Sequence, residues 1–130
     1  MDRYVSIEIE QRDDICIVRI SGRLATGADD YYLREKVQEI KSLGCRMIVA
    51  DVRELDSTGS TGIGFFVDLH TSVTKNGAGR FVLVGTSPRV FKVLNLTGLT
   101  RIIPMAPDLA AGLAFCVGED NVSGAGGSFV

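Results

Sequence analysis

The chain has 130 residues, a length for one domain. Its 45% hydrophobic and 23% charged residues are ordinary globular values and exclude disorder as the main state. Fourteen basic side chains against sixteen acidic ones leave a net charge of -2, without the basic excess of a nucleic-acid binder.

The first residues lack a basic-then-apolar leader, and no apolar run reaches membrane-spanning length. A cytoplasmic chain without membrane attachment is therefore expected. The single histidine, His70, argues against a conventional zinc site, and no cofactor is expected. Cys16, Cys45 and Cys116 are odd in number, widely spaced and free of any CxxC pair. Apolar neighbours such as Ile15, Ile17, Phe115 and Val117 predict buried, reduced thiols.

Val5, Ile7 and Ile9 alternate with Ser6, Glu8 and Glu10, Arg12-Asp13-Asp14 supplies a turn, and Ile15 to Ile20 resumes as a second strand. Residues 4–21 thus predict a hairpin, followed by a glycine-bounded connection over 22–27. From Ala28 the period becomes helical, with Leu33, Val37 and Ile40 on one face, Asp29 and Asp30 at the start and Gly44 as the stop. Arg46 to Val52 predicts a central strand. Ile63, Phe66, Val67 and Val73 predict a second helix ending near Asn76-Gly77, and Arg80 to Gly85 another strand. Ser87-Pro88 is a helix start, cap followed by proline, and that helix stops near Gly98. Ile102-Ile103 reads as a short edge strand, and Pro107 opens a last helix to about Val117. The predicted domain spans 1–117, and the Gly/Ser-rich residues 118–130 read as a flexible tail. Strands alternating with helices after a hairpin imply an α/β fold with a largely parallel sheet.

The most unusual stretch runs from Asp51 to Gly64 and contains Asp56-Ser57-Thr58-Gly59-Ser60-Thr61-Gly62-Ile63-Gly64. It leads from a buried strand into a helix, where free backbone N–H groups and the positive end of the helix dipole converge. Four readings compete. A nucleotide-binding loop of Walker type needs a Gly-Lys-Ser/Thr that is absent here. A dehydrogenase-type glycine signature has one residue too few between Gly59 and Gly62, and its YxxxK (Tyr32 to Lys36) precedes the loop instead of following it. The third reading is a hydroxyl that merely caps a helix, and the fourth is a phosphorylation site at a helix N-terminus.

The sequence resembles a STAS domain of the anti-sigma-factor-antagonist type. The matching elements are the hairpin into Ser21-Gly22-Arg23-Leu24, then Ile48 to Val52, Ser60-Thr61-Gly62-Ile63-Gly64, Gly77, Ser87-Pro88 and Leu96-Thr97-Gly98-Leu99. Together they cover the chain from Val5 to about Val117. The resemblance implies a single α/β domain with a mixed sheet of four to five strands and about four helices packed largely on one face. It also implies a non-enzymatic bacterial regulator. The implied partners are an anti-sigma factor of serine-kinase type and a serine phosphatase, with neither nucleic acid nor membrane.

The family phosphorylates the serine of an Asp-Ser-(Ser/Thr)-Gly-(Leu/Ile)-Gly motif. Ser57 follows the acid literally, but Ser60 has the correct Gly62-Ile63-Gly64 continuation and the correct spacing to Asp51 and Gly77. Ser60 is therefore the expected phosphosite and Ser57 the runner-up. Arg23, Leu24, Gly59, Thr61, Gly62, Ile63, Gly64 and Ser87 are the expected partner-binding residues. Gly59 and Ala25 stand where the family carries acids, with Asp56 nearby as a substitute. An alternative follows from that departure: an unphosphorylated scaffold or sensor module that binds a protein or a small ligand. Arg23 and Arg53 are read as contacts to a partner acid or phosphate, against the common alternative of exposed loop arginines, Tyr31 and Tyr32 as packing or helix-edge residues, and His70 as a packed or surface residue without a catalytic task.

Overall fold

The computed structural model describes residues 4–24, 29–75 and 77–118. The strands are β1 (Val5–Arg12), β2 (Ile15–Leu24), β3 (Met47–Thr58), β4 (Arg80–Val84) and β5 (Met105–Ala106). The helices are α1 (Asp30–Ser42), α2 (Ser60–Thr74), α3 (Pro88–Leu96) and α4 (Leu109–Cys116), with a 3-10 turn at Leu99–Arg101. The expected tail, 118–130, and Ala25 lie outside the described residues except for Gly118.

The strands form one sheet in the order β1-β2-β3-β4-β5. β1 and β2 are an antiparallel hairpin, while β2-β3, β3-β4 and β4-β5 pair in parallel. This is the mixed α/β architecture that the alternation of strand and helix patterns implies. Alternate residues of the central strands serve two cores. Ile48, Ala50 and Val52 of β3 and Phe81 and Leu83 of β4 pack beneath α1, α2 and α3. Val49, Val82 and Val84 meet Cys116 and the partly buried Leu109 and Leu113 of α4 on the opposite face. Both faces of β3 and β4 are covered, which explains their unbroken apolar runs. Burying each large side chain, Phe66 or Phe81 for example, contributes about 1.5–3 kcal/mol.

Four details differ from the sequence reading. β3 does not stop at Val52 but runs to Thr58, because Ser21 to Leu24 extend β2 and pair with Glu54 to Thr58 across two register shifts. Ile102-Ile103 is not a strand: Gly98 takes a left-handed conformation (φ 82°), the chain turns through Leu99–Arg101, and the edge strand forms later at Met105–Ala106. Val67, expected on the inner face of α2, is 39% exposed, and Phe65, Phe66 and Leu69 fill that face instead. The cysteines are not all reduced. Cys16 of β2 and Cys45, just before β3, form a disulfide with Cα atoms 6.0 Å apart, and Cys116 alone stays a buried free thiol. The 29-residue separation hid this pairing, which needs α1 to fold back over β2.

Candidate functional site

The extension of β3 builds the site. Arg23 pairs opposite Ser57 and Leu24 opposite Thr58, and the carbonyl of Leu24 accepts the Gly59 amide at 3.0 Å. The last residue of β2 thus holds the strand-to-helix junction in place. Gly59 is the N-cap of α2, in extended conformation, and its carbonyl accepts the first helical bond from the Ile63 amide at 3.1 Å. Ser60 follows as the first helical residue and is exposed. It therefore does not cap the helix, as the third sequence reading had it; glycine occupies the cap.

Beneath Ser60 lies a dry support. Thr58 is buried, and its hydroxyl donates to the Gly59 carbonyl at 3.3 Å. Gly62 packs against it so closely that a Cβ there would run into Thr58 Oγ1 and lie 2.9 Å from Leu24 Cδ1. Leu24 and Gly62, expected among the partner-binding residues, are both buried in the chain, where they fix the height and direction of the junction. Arg23, Ser60 and Gly64 are exposed, while Gly59, Thr61 and Ile63 are partly exposed. A Cβ at Gly64 would meet nothing within 4 Å, so this glycine is not required by internal packing. Ser60 and Gly64, four residues apart, share one face of α2 with the exposed Val67.

The electrostatics favour an anion there. The first turn of α2 carries no acidic residue to offset the positive end of the dipole of a fifteen-residue helix. Ser57 is placed differently. It lies within β3, half-buried, beside Arg23, whose guanidinium stacks 5.0 Å from the centre of the Tyr4 ring.

The other expected residues lie apart from this group. Ser87 caps α3, its Oγ accepting the Val90 amide at 3.2 Å, with Pro88 in the first turn. It stands at the same end of the sheet but is set back, because β3 runs on from Val52 to Thr58 after its last pair with β4. Arg53 stays exposed but is tied at one edge: its Nε and Nη2 each reach the buried Asp51 carboxylate at 3.0 Å. That pairing raises the Arg53 pKa. His70 packs edge-on to Phe81 at 6.0 Å between ring centres, and burial lowers its pKa. No group of three or more His, Cys, Asp or Glu that could hold a metal occurs among the described residues, and no described helix is long and apolar enough to cross a membrane.

Sequence reasoning missed Thr58 as the support and the strand character of 53–58. Arg53, Glu54 and Asp56 read as a polar loop, and no local pattern announces a strand whose partners are the distant Ser21 to Leu24.

These features sit on a fold found in a known family. The STAS domain family model matches residues 6–112, and the chain belongs to that family. It is 30% identical over 115 residues to the anti-sigma-B factor antagonist of Bacillus subtilis (strain 168), covering 84% of this chain and 97% of that protein. Among solved structures, an anti-sigma factor antagonist from Mycobacterium paratuberculosis superposes with a TM-score of 0.77 at 19% identity, covering 87% and 94% of the two chains. The anti-sigma factor antagonist SpoIIAA in its unphosphorylated form gives a TM-score of 0.71 at 19% identity, covering 87% and 97%. The Bacillus cell fate determinant SpoIIAA in its phosphorylated form gives 0.58 at 23% identity, covering 78% and 91%.

Proposed function

We propose that this chain is an anti-sigma factor antagonist, controlled by phosphorylation of Ser60. Unphosphorylated, it binds an anti-sigma factor of serine-kinase type through the junction around Ser60 and the outer face of α2. Binding frees the sigma factor held by that partner. The kinase phosphorylates Ser60, the complex dissociates, and a serine phosphatase restores the binding form.

The observation that carries this reading is the placement of Ser60: an exposed hydroxyl at the first position of α2, on a buried support, with no acid in the first turn. A phosphate adds about -1.5 to -2 charges and three acceptor oxygens at pH 7. At a helix N-terminus those charges are tolerated by the fold, whereas inside a complementary interface they repel and must be desolvated. Ser57 is the weaker candidate, since its strand would have to leave β2 before a kinase could grip it. Further support is that a fold relative, SpoIIAA, exists in unphosphorylated and phosphorylated forms.

One observation favours the second reading, a module that binds a small ligand without a phosphate switch. On the sheet face that carries α4, the part α4 leaves uncovered over β1, β2 and β3 holds a polar groove of about 290 Å³ lined by Glu8, Arg19, Ser21, Asp51, Arg53 and Glu54.

The two readings separate in one experiment. The chain is incubated with its anti-sigma kinase and ATP, the phosphopeptide is mapped, and partner binding is measured for Ser60→Ala and Ser60→Asp. Phosphate on Ser60, its loss in Ser60→Ala, and at least about tenfold weaker binding by Ser60→Asp are expected. Phosphate elsewhere, or full binding by Ser60→Asp, overturns the switch.

A further inference from the structure

Cys16 and Cys45 differ sharply in access although they share one bond. Cys16 lies wholly inside the core beneath α1 and α2, whereas Cys45 is partly exposed. Cys45 lines a groove of about 350 Å³ between α1 and α2, together with Lys41, Gly44, Asp68, Thr71 and Lys75. Gly44, beside it, is in the left-handed conformation (φ 69°), and a Cβ there would meet nothing within 4 Å, so the approach is not walled off. Lys41 and Lys75 bring positive charge to the groove, which favours an incoming thiolate; Lys41 is shared with Asp68 through a 3.2 Å ion pair. The third cysteine cannot interfere. Cys116 belongs to the core on the opposite side of the sheet, and burial pushes its thiol up to about 11, so it stays protonated and inert.

From this placement we infer that the Cys16–Cys45 disulfide is an exchangeable bond and that Cys45 is the site at which a small external thiol attacks. The thiolate approaches through the groove and bonds to Sγ of Cys45. The sulfur–sulfur bond breaks, and Cys16 leaves as a thiolate that is neutralised by the proton the attacking thiol gave up, delivered through the groove once the bond has opened. With a monothiol the product is a mixed disulfide on Cys45. With a dithiol, the second thiol attacks the external sulfur of that mixed disulfide and releases Cys45 as a thiol. The two electrons then come from the dithiol, which ends as its own disulfide. The sulfur attacked is decided by access, because Cys16 offers no path to solvent. The switch so formed ties or frees the segment that carries α1 into β3.

The test uses the air-equilibrated, natively folded full chain. Alkylation after unfolding is expected to mark Cys116 alone before reduction and all three cysteines after native treatment with dithiothreitol, with the disulfide returning when the reductant is removed. Native treatment with reduced glutathione, quenched and peptide-mapped, is expected to leave glutathione on Cys45. In Cys16→Ala, where no neighbouring thiol can expel it, an adduct formed with oxidised glutathione should persist on Cys45 and survive in the folded protein. Three alkylated cysteines before any reduction, reduction that needs denaturant, or glutathione on Cys16 would each overturn the proposal. The wild-type mapping decides the matter even where Cys16→Ala fails to fold.

Discussion

The Tyr32 hydroxyl accepts a hydrogen bond from the Ile7 amide at 2.9 Å and donates one back to the Ile7 carbonyl at 3.4 Å. β1 is an edge strand of the sheet, so a helix side chain here occupies main-chain groups that would otherwise be open to another strand. Lys36 lies over the same ring at 5.6 Å, so the Tyr32-to-Lys36 pair that mimics a dehydrogenase motif has a structural use instead.

Tyr32→Phe should therefore lower stability by roughly 1–3 kcal/mol in urea unfolding, since two main-chain groups lose their partner. The same variant should self-associate more than the wild type in sedimentation velocity, through the uncovered edge. An unchanged midpoint together with an unchanged sedimentation profile would show that the edge is guarded by something else.

Two glycines of α2 should respond in opposite ways to alanine. Gly62→Ala drives a methyl into Thr58 and Leu24 and should cost about 1–3 kcal/mol. Gly64→Ala meets open space and should stabilise the helix by roughly 0.5–1 kcal/mol. If the α2 face is the docking surface, Gly64→Ala will nevertheless weaken partner binding in calorimetry, a dissociation of stability from function that a purely structural glycine would not give.

A negative charge at Ser60 should also separate the two properties. Ser60→Asp places a carboxylate in the first turn of α2, which has none, and should raise stability by about 0.3–1 kcal/mol at low ionic strength. The gain should shrink as salt is added. A destabilised Ser60→Asp would mean that the hydroxyl's own contacts outweigh the dipole.

The pH dependence follows from His70. Burial lowers its pKa in the folded state below the usual 6.5, so near and below that value the unfolded chain binds the proton more readily. Stability should fall as pH drops from about 6.5 toward the folded-state value, and level off below it as far as His70 is concerned. His70→Gln should flatten that slope, and a proton NMR titration should place His70 below 6.5.

The patterns most legible in sequence were those with a local cause. Leu33, Val37 and Ile40 mark α1, and Ser87-Pro88 marks the start of α3, because spacing and capping are decided within a few residues. The start of α2 at Ser60 could be placed by motif register. What stayed hidden depends on partners far along the chain. Glu54 to Thr58 form a strand only because Ser21 to Leu24 lie alongside, and Cys45 meets Cys16 only after a whole helix intervenes. Val67 reads as inward by its apolarity alone, yet it stays exposed because Phe65, Phe66 and Leu69 already fill the inner face.

The support beneath Ser60 bears on how such a complex forms. Thr58, Leu24 and Gly62 lock the junction before any partner arrives, so little conformational freedom is left to lose at that point on association. Docking through this junction, as proposed, would then resemble a rigid key more than a folding loop. If Ser60 lies in the docking surface, an uncharged change there, such as Ser60→Ala, should be felt in how long the complex lasts more than in how fast the two proteins find each other.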